Sequence, residues 1–318
     1  MKSIFRLNDV SEIDDSAYWG KLLSPVYAYL ELTKRCNCNC DFCQVDGLHE
    51  KNSDINFRLF KKIVKELKKN NFLELRLGGG EPLISSSIKK IVKYINKNNL
   101  MFWVCTNGIL LTQEMAEFLK NNGCIGVRIS IDSHIEAKHN EIRRNPNAYK
   151  LALKAVETAR DANLTTIISM TIGEHNINDV VELEKLAKEK KVGFITHPIM
   201  PVGRGVNFKS NEDYYCCSEN IKDVISNSTG EKHCVAGTEM IAIDTLGNVS
   251  PCTFIKPKLS LKKLSLKNIL NHPSFVCYKH PILNSKICEN CKENAENCKY
   301  SDMCRGGCWA LKELNDEN

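Results

Sequence analysis

Short apolar runs alternate with helix-like runs through the first two-thirds of the chain, and this alternation constrains the fold most strongly. The apolar runs are rich in Val, Ile and Leu, as buried parallel strands are. They cover residues 26–33, 73–77, 101–106, 126–131, 166–171 and 193–199. The runs between them carry apolar residues three and four positions apart, which is typical of helices. These predicted helices cover residues 57–69, 86–98, 113–121, 148–162 and 177–190. Repeated strand and helix in this order predict a parallel α/β sheet.

Six such strands can form either an open doubly wound sheet or a partial barrel. We favour a partial (β/α)6 TIM-like barrel, because polar and glycine-rich motifs follow the C-terminal ends of the strands, where barrels place their active sites. After residue 207 the helical periodicity fades and cysteine becomes frequent. The expected organisation is an N-terminal extension (1–23), the partial barrel (24–207) and a small, cysteine-rich, irregular α+β domain (208–318). A hairpin is expected within this last domain, around Leu246-Gly247.

The 16 cysteines of the chain point to metal ligation. Intracellular proteins rarely form disulfides, and the N-terminus lacks a secretory signal pattern. Cys36, Cys40 and Cys43 stand in the pattern C-x3-C-x2-C directly after the first strand. An iron–sulfur cluster held only by cysteine normally takes four thiolates, so three of them leave one iron open for another ligand. This arrangement suits an enzyme better than an electron carrier.

Two alternatives for this loop stay open. Cys38 lies within the triplet, and the four thiols together can bind a single metal, although so short a segment makes that arrangement cramped. A zinc site usually has two C-x2-C pairs or a mixture of cysteine and histidine, and the loop offers one triplet. The three-cysteine cluster is therefore preferred. Phe42, directly before Cys43, can shield a cluster or stack on a bound base.

The next strand ends carry residues suited to a ligand. The second strand runs into Gly-Gly-Gly-Glu-Pro at 78–82, where glycine permits close backbone approach and Glu81 can accept hydrogen bonds from an ammonium group. The third strand ends at Asn107, within Thr-Asn-Gly. The fourth ends with Ser130 and Asp132, which suit hydroxyl groups such as those of a ribose.

Two further polar residues follow the fourth strand. We expect His139 to lie on a helix surface. Arg143 can pair with a carboxylate, with an ordinary surface arginine as the alternative.

The order of these motifs resembles the radical S-adenosylmethionine (radical SAM) superfamily over roughly residues 24–207. The resemblance implies that Cys36, Cys40 and Cys43 hold a [4Fe-4S] cluster whose open iron binds S-adenosylmethionine. The implied cofactor-binding residues are Gly79, Gly80 and Glu81 at the methionyl amine, Ser130 at the ribose, Arg143 at the carboxylate, and Phe42, Asn107 and Asp132 beside them. In that family, reductive cleavage of the cofactor yields a 5′-deoxyadenosyl radical that takes a hydrogen atom from the substrate.

The C-terminal cysteines resemble the SPASM extension of that superfamily, which carries two auxiliary four-iron clusters. The resemblance is carried by Gly247-x4-Cys252 and by the C-x5-C-x3-C tail at 298–308. Two departures stand out: Ala295 occupies a position where the family has cysteine, and no cysteine follows Cys308.

A displaced cysteine pair, Cys288 and Cys291, can compensate for these departures. The expected ligands of one cluster are Cys288, Cys291, Cys298 and Cys304. Those of the other are Cys234, Cys252 and Cys308, with Cys216, Cys217, Cys277 or a substrate atom as the fourth. A single auxiliary cluster and a zinc knuckle at the tail remain alternatives.

Two motifs each have two possible roles. Cys105, on the third strand, can donate a hydrogen atom to a substrate radical, although buried cysteine more often serves packing. The end of the sixth strand, His197-Pro198, and the loop at 201–205, Pro-Val-Gly-Arg-Gly, can contact adenine or substrate, or can simply be a turn that leaves the barrel.

The overall composition limits the kinds of partner expected for this protein. The net charge of +6 comes mostly from lysines scattered over helix faces, which favours a solvated surface over a nucleic-acid partner. The sequence has no run of 18 apolar residues, so no membrane span is expected, and a cytoplasmic location follows.

We therefore expect a radical SAM oxidoreductase that matures a ribosomally made peptide by crosslinking, oxidation or epimerisation. A small-molecule (aminoglycoside or amino-sugar) dehydrogenase and a sulfatase-type maturase are alternatives. A non-catalytic iron–sulfur electron-transfer protein is a remote one, because such a carrier needs no cofactor pocket. About 24 residues precede the first strand, so a peptide substrate would require a separate recognition protein or would bind the barrel mouth. The resemblance implies a flavodoxin or ferredoxin as electron donor.

Overall fold

The computed structural model describes residues 25–45, 53–208 and 235–276. The strands found there are β1 (Tyr27–Thr33), β2 (Glu74–Gly79), β3 (Met101–Thr106), β4 (Cys124–Ser130), β5 (Thr165–Ile172), β6 (Gly193–Pro198), β7 (Met240–Ile243), β8 (Asn248–Ser250) and β9 (Leu259–Ser260). The helices are α1 (Phe57–Lys69), α2 (Ile88–Lys97), α3 (Gln113–Asn121), α4 (Glu136–Arg143), α5 (Ala148–Asp161), α6 (Val180–Lys190), α7 (Leu266–Leu270) and α8 (Pro273–Val276). Short 3-10 turns lie at Pro82–Ile84, Ile177–Asp179 and Gly203–Asn207.

The strands form one sheet in the order β6-β5-β4-β3-β2-β1-β7-β8-β9. Strands β1 to β6 pair in parallel with their neighbours in chain order, as strand–helix–strand connections require. Because they run in parallel, their C-terminal ends meet at one edge. The motifs at those ends are thereby brought together.

The C-terminal strands continue the same sheet. Strand β7 pairs in parallel with β1, with Leu30 opposite Ile243, and β8 and β9 follow in antiparallel pairing. The predicted hairpin around Leu246-Gly247 is confirmed, and Gly247 adopts φ 81°, which favours glycine in a tight turn. The expected domain boundary falls mostly within 209–234, outside the described residues.

One face of the sheet packs against the helices and forms the core. Helix α1 shows why: the side chain of Asn56 caps its first turn, and its apolar stripe is fully buried. That stripe consists of Phe60, Ile63, Val64 and Leu67. Alternate strand residues such as Leu30, Leu77 and Val104 project into the same core.

The opposite face of the sheet, which we call the inner face, is polar. Along each strand side chains alternate between faces, so the residues between the core positions lie on the inner face. They include Tyr29, Arg76, Trp103, Cys105 and Arg128, which are only partly buried.

The predicted α/β architecture is confirmed, and the observed strands and helices begin and end within two residues of most expected limits. Helix α4 was not predicted, because it has few apolar residues and packs instead through the buried polar side chains of His139 and Arg143. In the part of the chain that the structure describes, no helix is long and apolar enough to cross a membrane.

Candidate active site

The cysteine loop follows β1 and is held by the end of helix α4. The backbone N–H of Asn39 donates to the carbonyl of Arg143 at 3.1 Å, and that of Asp41 donates to the carbonyl of Ile142 at 3.3 Å. The last carbonyls of a helix lack partners within the helix, so α4 offers acceptors that the loop satisfies. The polar helix missed by the sequence analysis therefore positions the cysteines.

The loop at 201–205 forms a second support. The backbone N–H of Arg204 donates to the carbonyl of Cys43, and its Nε donates to the carbonyl of Cys40, both at 2.9 Å. Gly203 has φ 57°, and a Cβ there would lie 2.6 Å from the carbonyl oxygen of Cys43. The motif thus contacts the cysteine loop, which neither sequence interpretation anticipated.

The thiols of Cys36, Cys38 and Cys40 interact with one another. The backbone N–H of Cys38 donates to Sγ of Cys36 at 3.4 Å, and Nη1 of Arg143 donates to Sγ of Cys40 at 3.5 Å. A hydrogen bond with Cys38 lowers the pKa of the Cys36 thiol. The same kind of bond, with the charge of Arg143, lowers the pKa of Cys40 to about 6. Cys36 and Cys40 therefore favour the thiolate form, which binds metal.

A single-ion metal site is not formed by the described residues. Among 25–45, 53–208 and 235–276, no three Cys, His, Asp or Glu side chains are placed to hold one metal ion. Ligands of a four-iron cluster bind different irons, so this finding does not test the predicted cluster. Cys252 is partly buried, and the other predicted auxiliary ligands lie outside the described residues. These are Cys234, Cys288, Cys291, Cys298, Cys304 and Cys308.

The glycine-rich end of β2 lies against the start of the cysteine loop. The backbone N–H of Gly80 donates to the carbonyl of Thr33, and that of Glu81 donates to the carbonyl of Arg35, both at 2.8 Å. A Cβ at Gly80 would lie 2.2 Å from the carbonyl oxygen of Arg35, and Gly79 adopts φ 114°. Glycine is needed at positions 79 and 80 because the backbone at the end of β2 directly contacts the backbone at the start of the cysteine loop.

Glu81 is fully buried and joins the ends of β2 and β3. Its Oε1 accepts from the backbone N–H of Leu83 at 3.0 Å and from the hydroxyl of Thr106 at 2.8 Å. Its Oε2 accepts from the backbone N–H of Asn107 at 2.8 Å. Burial outweighs these donors and raises the pKa of Glu81 to about 7. The predicted contact with an ammonium group stays a prediction.

Asn107 connects β3 to the cysteines. Its side-chain amide donates to Oδ1 of Asn37 at 2.7 Å and lies 3.6 Å from Sγ of Cys38 and 3.9 Å from Sγ of Cys36. The Asn107 amide is therefore placed to polarise the sulfur atoms of these two cysteines.

Asp132 and Arg143 form a buried ion pair beside the loop. The Nε of Arg143 donates to Oδ2 of Asp132, and Oδ1 of Asp132 accepts from the backbone N–H of Thr171 at 2.9 Å. Burial opposes the charge of Arg143, but Asp132 and the Cys40 sulfur outweigh burial and raise its pKa. Arg143 pairs with a protein carboxylate, and its contact with the cofactor stays a prediction.

The expectation for His139 was wrong. His139 is 1% exposed, and its Nδ1 accepts the backbone N–H of Asp132 at 3.1 Å. Burial lowers its pKa to about 4, so the ring is neutral at pH 7. It packs on the inward side of α4 because the neighbouring strand end offers it a donor.

Three other predicted residues lie nearby. Ser130 ends β4, and its hydroxyl has no hydrogen-bond partner in the described part of the chain. The centroid of the Phe42 ring lies 5.5 Å from the guanidinium of Arg143 and 6.5 Å from the centroid of the His175 ring. Cys105 lies on the inner face, where burial raises the pKa of its thiol and favours the S–H form.

Sequence reasoning missed two inner-face residues, Trp103 and Arg128; they lie on the same face as Cys105 and as His197, which the sequence placed at the end of the sixth strand. Cys105 is opposite Arg128, and Thr171 is opposite His197. The guanidinium of Arg128 lies 5.9 Å from the Trp103 ring. Alternation within strands signalled the face of each residue, but only the register between strands brings them together.

The residues present fit a polar cofactor at this edge of the sheet. In the described part, Nδ1 of His175 and Oδ1 of Asn39 are buried without hydrogen-bond partners. Buried polar atoms normally have a partner, so these two indicate a missing ligand or water. Thiolate-forming cysteines adjoin them. The fold and site thus define an α/β-barrel protein with a thiolate loop at its catalytic edge.

Comparison with known proteins agrees with that class. Residues 30–187 match the family model described as the Radical SAM superfamily. The chain is 26% identical over 316 residues to the antilisterial bacteriocin subtilosin biosynthesis protein AlbA of Bacillus subtilis (strain 168), covering 92% of this chain and 68% of that protein. It is 25% identical over 317 residues to the mycofactocin maturase MftC of Mycolicibacterium smegmatis, covering 91% and 79%.

The fold is also known from solved structures. Streptococcus suis SuiB bound to its precursor peptide SuiA superposes with a TM-score of 0.71 and 16% identity, over 93% of this chain and 74% of SuiB. The predicted partial barrel is thereby confirmed. The chain belongs to the radical SAM superfamily and is a SPASM-type enzyme that uses a [4Fe-4S] cluster with S-adenosylmethionine, and relatives of this type carry auxiliary clusters.

Proposed function

We propose that this enzyme modifies a ribosomally made peptide through a hydrogen-abstraction step. The supporting observation is the extent of its similarity to AlbA and MftC, which covers about nine-tenths of the chain and so includes its cysteine-rich C-terminal part. A relationship confined to the barrel would say little about substrate, because barrels host many chemistries. The solved SuiB structure contains a precursor peptide, and its similar fold is compatible with a peptide substrate here.

Cys36, Cys40 and Cys43 hold the catalytic cluster in this proposal. When bound, the cluster and S-adenosylmethionine supply the 5′-deoxyadenosyl radical chemistry of the family. Asn107 donates hydrogen bonds toward the sulfurs, and Arg143 supplies positive charge beside Cys40. Ser130 offers a free hydroxyl at the same edge for the cofactor ribose.

The same proposal assigns a role to each domain. Residues 24–207 act as the catalytic barrel, and 208–318 carry one or two auxiliary [4Fe-4S] clusters.

Further residues shape the cofactor site. Gly79, Gly80 and Glu81 contact the methionyl amine, and Phe42 and Asp132 lie beside them.

The proposal also includes the location and the partners of the enzyme. They are a cytoplasmic location, a flavodoxin or ferredoxin as electron donor, and a separate peptide-recognition protein.

Reductive cleavage of S-adenosylmethionine tests the enzymatic part of this proposal. Anaerobically reconstituted, dithionite-reduced protein should form 5′-deoxyadenosine, and a variant with alanine at the three cluster cysteines should form none. Equal amounts from both proteins would refute the assignment of these cysteines.

Deuterium transfer tests the substrate class. The reduced enzyme is incubated separately with a deuterated peptide mixture and with a deuterated amino sugar. Deuterium should enter 5′-deoxyadenosine from the peptides. Transfer from the amino sugar alone would favour the small-molecule dehydrogenase instead.

A further inference from the structure

Arg128 lies on the inner face of the barrel without an ion-pair partner among the residues that the structure describes. Arg128 is on β4 between Val127 and Ile129, both fully buried on the core side. Its Nε is buried without a hydrogen-bond partner, and its guanidinium forms no hydrogen bond or ion pair in the part of the chain that the structure describes. A guanidinium has five N–H donors, and leaving them unsatisfied away from bulk water is costly.

The neighbouring arginine provides a contrast. Arg76, on β2, forms an ion pair with Glu74 at 2.9 Å, and its guanidinium lies 3.6 Å from the centroid of the Tyr27 ring. Its charge is therefore matched within the protein. For Arg128 the contact found among the described residues is with the Trp103 ring, which orients the guanidinium by cation–π attraction and leaves its donors open.

The packing around Trp103 holds this arrangement in place. Trp103 is opposite Gly126, where a Cβ would lie 2.6 Å from the indole ring. Glycine at this position gives the ring room to lie against the sheet. Arg128 follows two residues later on the same face, so the indole supports its side chain from the adjacent strand.

Among the described residues, the other charged or titratable groups on the inner face do not neutralise the positive charge of Arg128. Desolvation, assisted by the positive charges of Arg128 and Arg76, lowers the pKa of His197 to about 4, so this histidine is neutral at pH 7. Glu31 lies on the inner face of β1 and has interactions of its own. No ion pair between Glu31 and Arg128 is found among the described residues.

The depth of Arg128 separates it from the expected cofactor contacts. Asn107 and Ser130 mark the level of the cysteine loop at the strand ends. Arg128 and its partner Cys105 each lie two residues earlier in their strands, about 7 Å further into the barrel. An anion bound there would lie beneath the cofactor edge, beside the one inner-face thiol predicted to donate a hydrogen atom.

We propose that Arg128 binds a carboxylate of the substrate inside the barrel and so selects acidic peptide segments. This inference rests on the proposed function, because a peptide offers carboxylates either as acidic side chains or as its C-terminus. The planar fork of arginine matches a carboxylate with two parallel hydrogen bonds. Trp103 fixes the direction of the fork, and Cys105 lies beside the bound segment.

The binding test uses the reconstituted full-length holoenzyme with S-adenosylmethionine and three N-acetylated tripeptides. Ac-Gly-Glu-Gly-NH2 carries a side-chain carboxylate, Ac-Gly-Gln-Gly-OH a terminal one, and Ac-Gly-Gln-Gly-NH2 none. Binding is followed by saturation-transfer NMR up to about 10 mM peptide, the range of weak fragment affinities. At least one acidic tripeptide should bind about tenfold more tightly than the neutral one, and which of them does so identifies the source of the carboxylate.

Variants assign that preference to Arg128. Arg128→Gln should abolish it, and Arg128→Lys should retain part of it. Arg160→Gln is the matched control, because Arg160 is exposed and already paired with Asp161. If Arg128→Gln fails to retain its iron, Arg128→Lys is compared with Arg160→Gln instead. An equal preference for acidic tripeptides in these two variants would overturn the proposal.

Three other results would overturn it. These are a wild-type enzyme without preference for acidic tripeptides, a preference that persists in Arg128→Gln, and a loss of affinity for S-adenosylmethionine in Arg128→Gln with the tripeptide preference intact. The last result would make the cofactor carboxylate the occupant. Formation of 5′-deoxyadenosine by the wild-type enzyme is measured separately, so failure of the proposed function is distinguishable from failure of this inference.

Discussion

Oε2 of Glu81 accepts the backbone N–H of Asn107 at 2.8 Å, and this hydrogen bond joins the ends of β2 and β3 beneath the cysteine loop. The carboxyl group is fully buried, and its other oxygen accepts from Leu83 and Thr106. Both carboxylate oxygens of Glu81 therefore accept hydrogen bonds that hold the ends of β2 and β3 together. Its protonation state therefore affects the stability of the site.

The first prediction concerns pH. Burial raises the pKa of Glu81 from 4.5 to about 7, so the folded protein binds this proton more tightly than the unfolded chain. Stability from Glu81 should therefore fall as pH rises from about 4.5 to about 7, by about 3 kcal/mol, and stay at the lower level above that range. Urea midpoints of the cluster-free protein across this range should fall more steeply for wild type than for Glu81→Gln.

A matched control isolates the effect of burial. Glu114 lies exposed on α3 and pairs with Lys89, so Glu114→Gln should leave the wild-type pH profile nearly unchanged. Parallel profiles for wild type and Glu81→Gln would contradict the prediction.

The second prediction concerns the reduction potential of the cluster. The amide of Asn107 lies 3.9 Å from the sulfur of Cys36, a predicted cluster ligand. Hydrogen bonds to cluster sulfurs stabilise the more negative, reduced state and so raise the potential. Asn107→Ala should lower the midpoint potential in an EPR-monitored titration, whereas exposed Asn121→Ala should not. An unchanged potential in Asn107→Ala would show that the amide does not act on the cluster.

The sequence predicted the strands, most helices and the edge where the motifs meet, because periodicity and strand–helix order are local signals. It did not predict the buried polar contacts. Arg143 was assigned to a cofactor carboxylate, yet its observed partner is Asp132, and His139 was placed on a surface but is buried. Such pairings depend on how α4 lies against Asp132 in the segment that follows β4, which no local pattern encodes. Arg128 was missed because only the register between β3 and β4 brings it beside Trp103 and Cys105.

The third prediction concerns the ion pair of Asp132 and Arg143. Asp132→Asn leaves a buried guanidinium without its counter-charge, which typically costs about 3–5 kcal/mol. The urea midpoint of this variant should fall sharply. Asp161→Asn removes an exposed pair with Arg160 and should cost less than about 1 kcal/mol. Similar losses in the two variants would mean that the buried pair contributes no more than a surface pair.

The fourth prediction concerns the close approach of β2 to the cysteine loop. An alanine Cβ at Gly80 would lie 2.2 Å from the carbonyl oxygen of Arg35, one residue before Cys36, so backbone must move. Gly80→Ala should therefore lose iron on reconstitution. At Gly193 the nearest atom to a new Cβ is a side-chain carbon of Ile167 at 3.2 Å, and Gly193→Ala should retain its iron. Full iron in Gly80→Ala would show that the loop adapts.

The last prediction distinguishes the cluster ligands within the loop. Cys38 is 4% exposed, and its thiol interacts with those of Cys36 and Cys40, so burial alone does not separate ligand from neighbour. Cys36→Ala should remove a ligand and lose about four irons per chain, whereas Cys38→Ala should retain them, because the C-x3-C-x2-C triplet remains complete. Iron and sulfide are measured after anaerobic reconstitution of each variant. Equal losses in both variants would make Cys38 a ligand, and a cluster with four cysteine ligands would have no open iron for the cofactor.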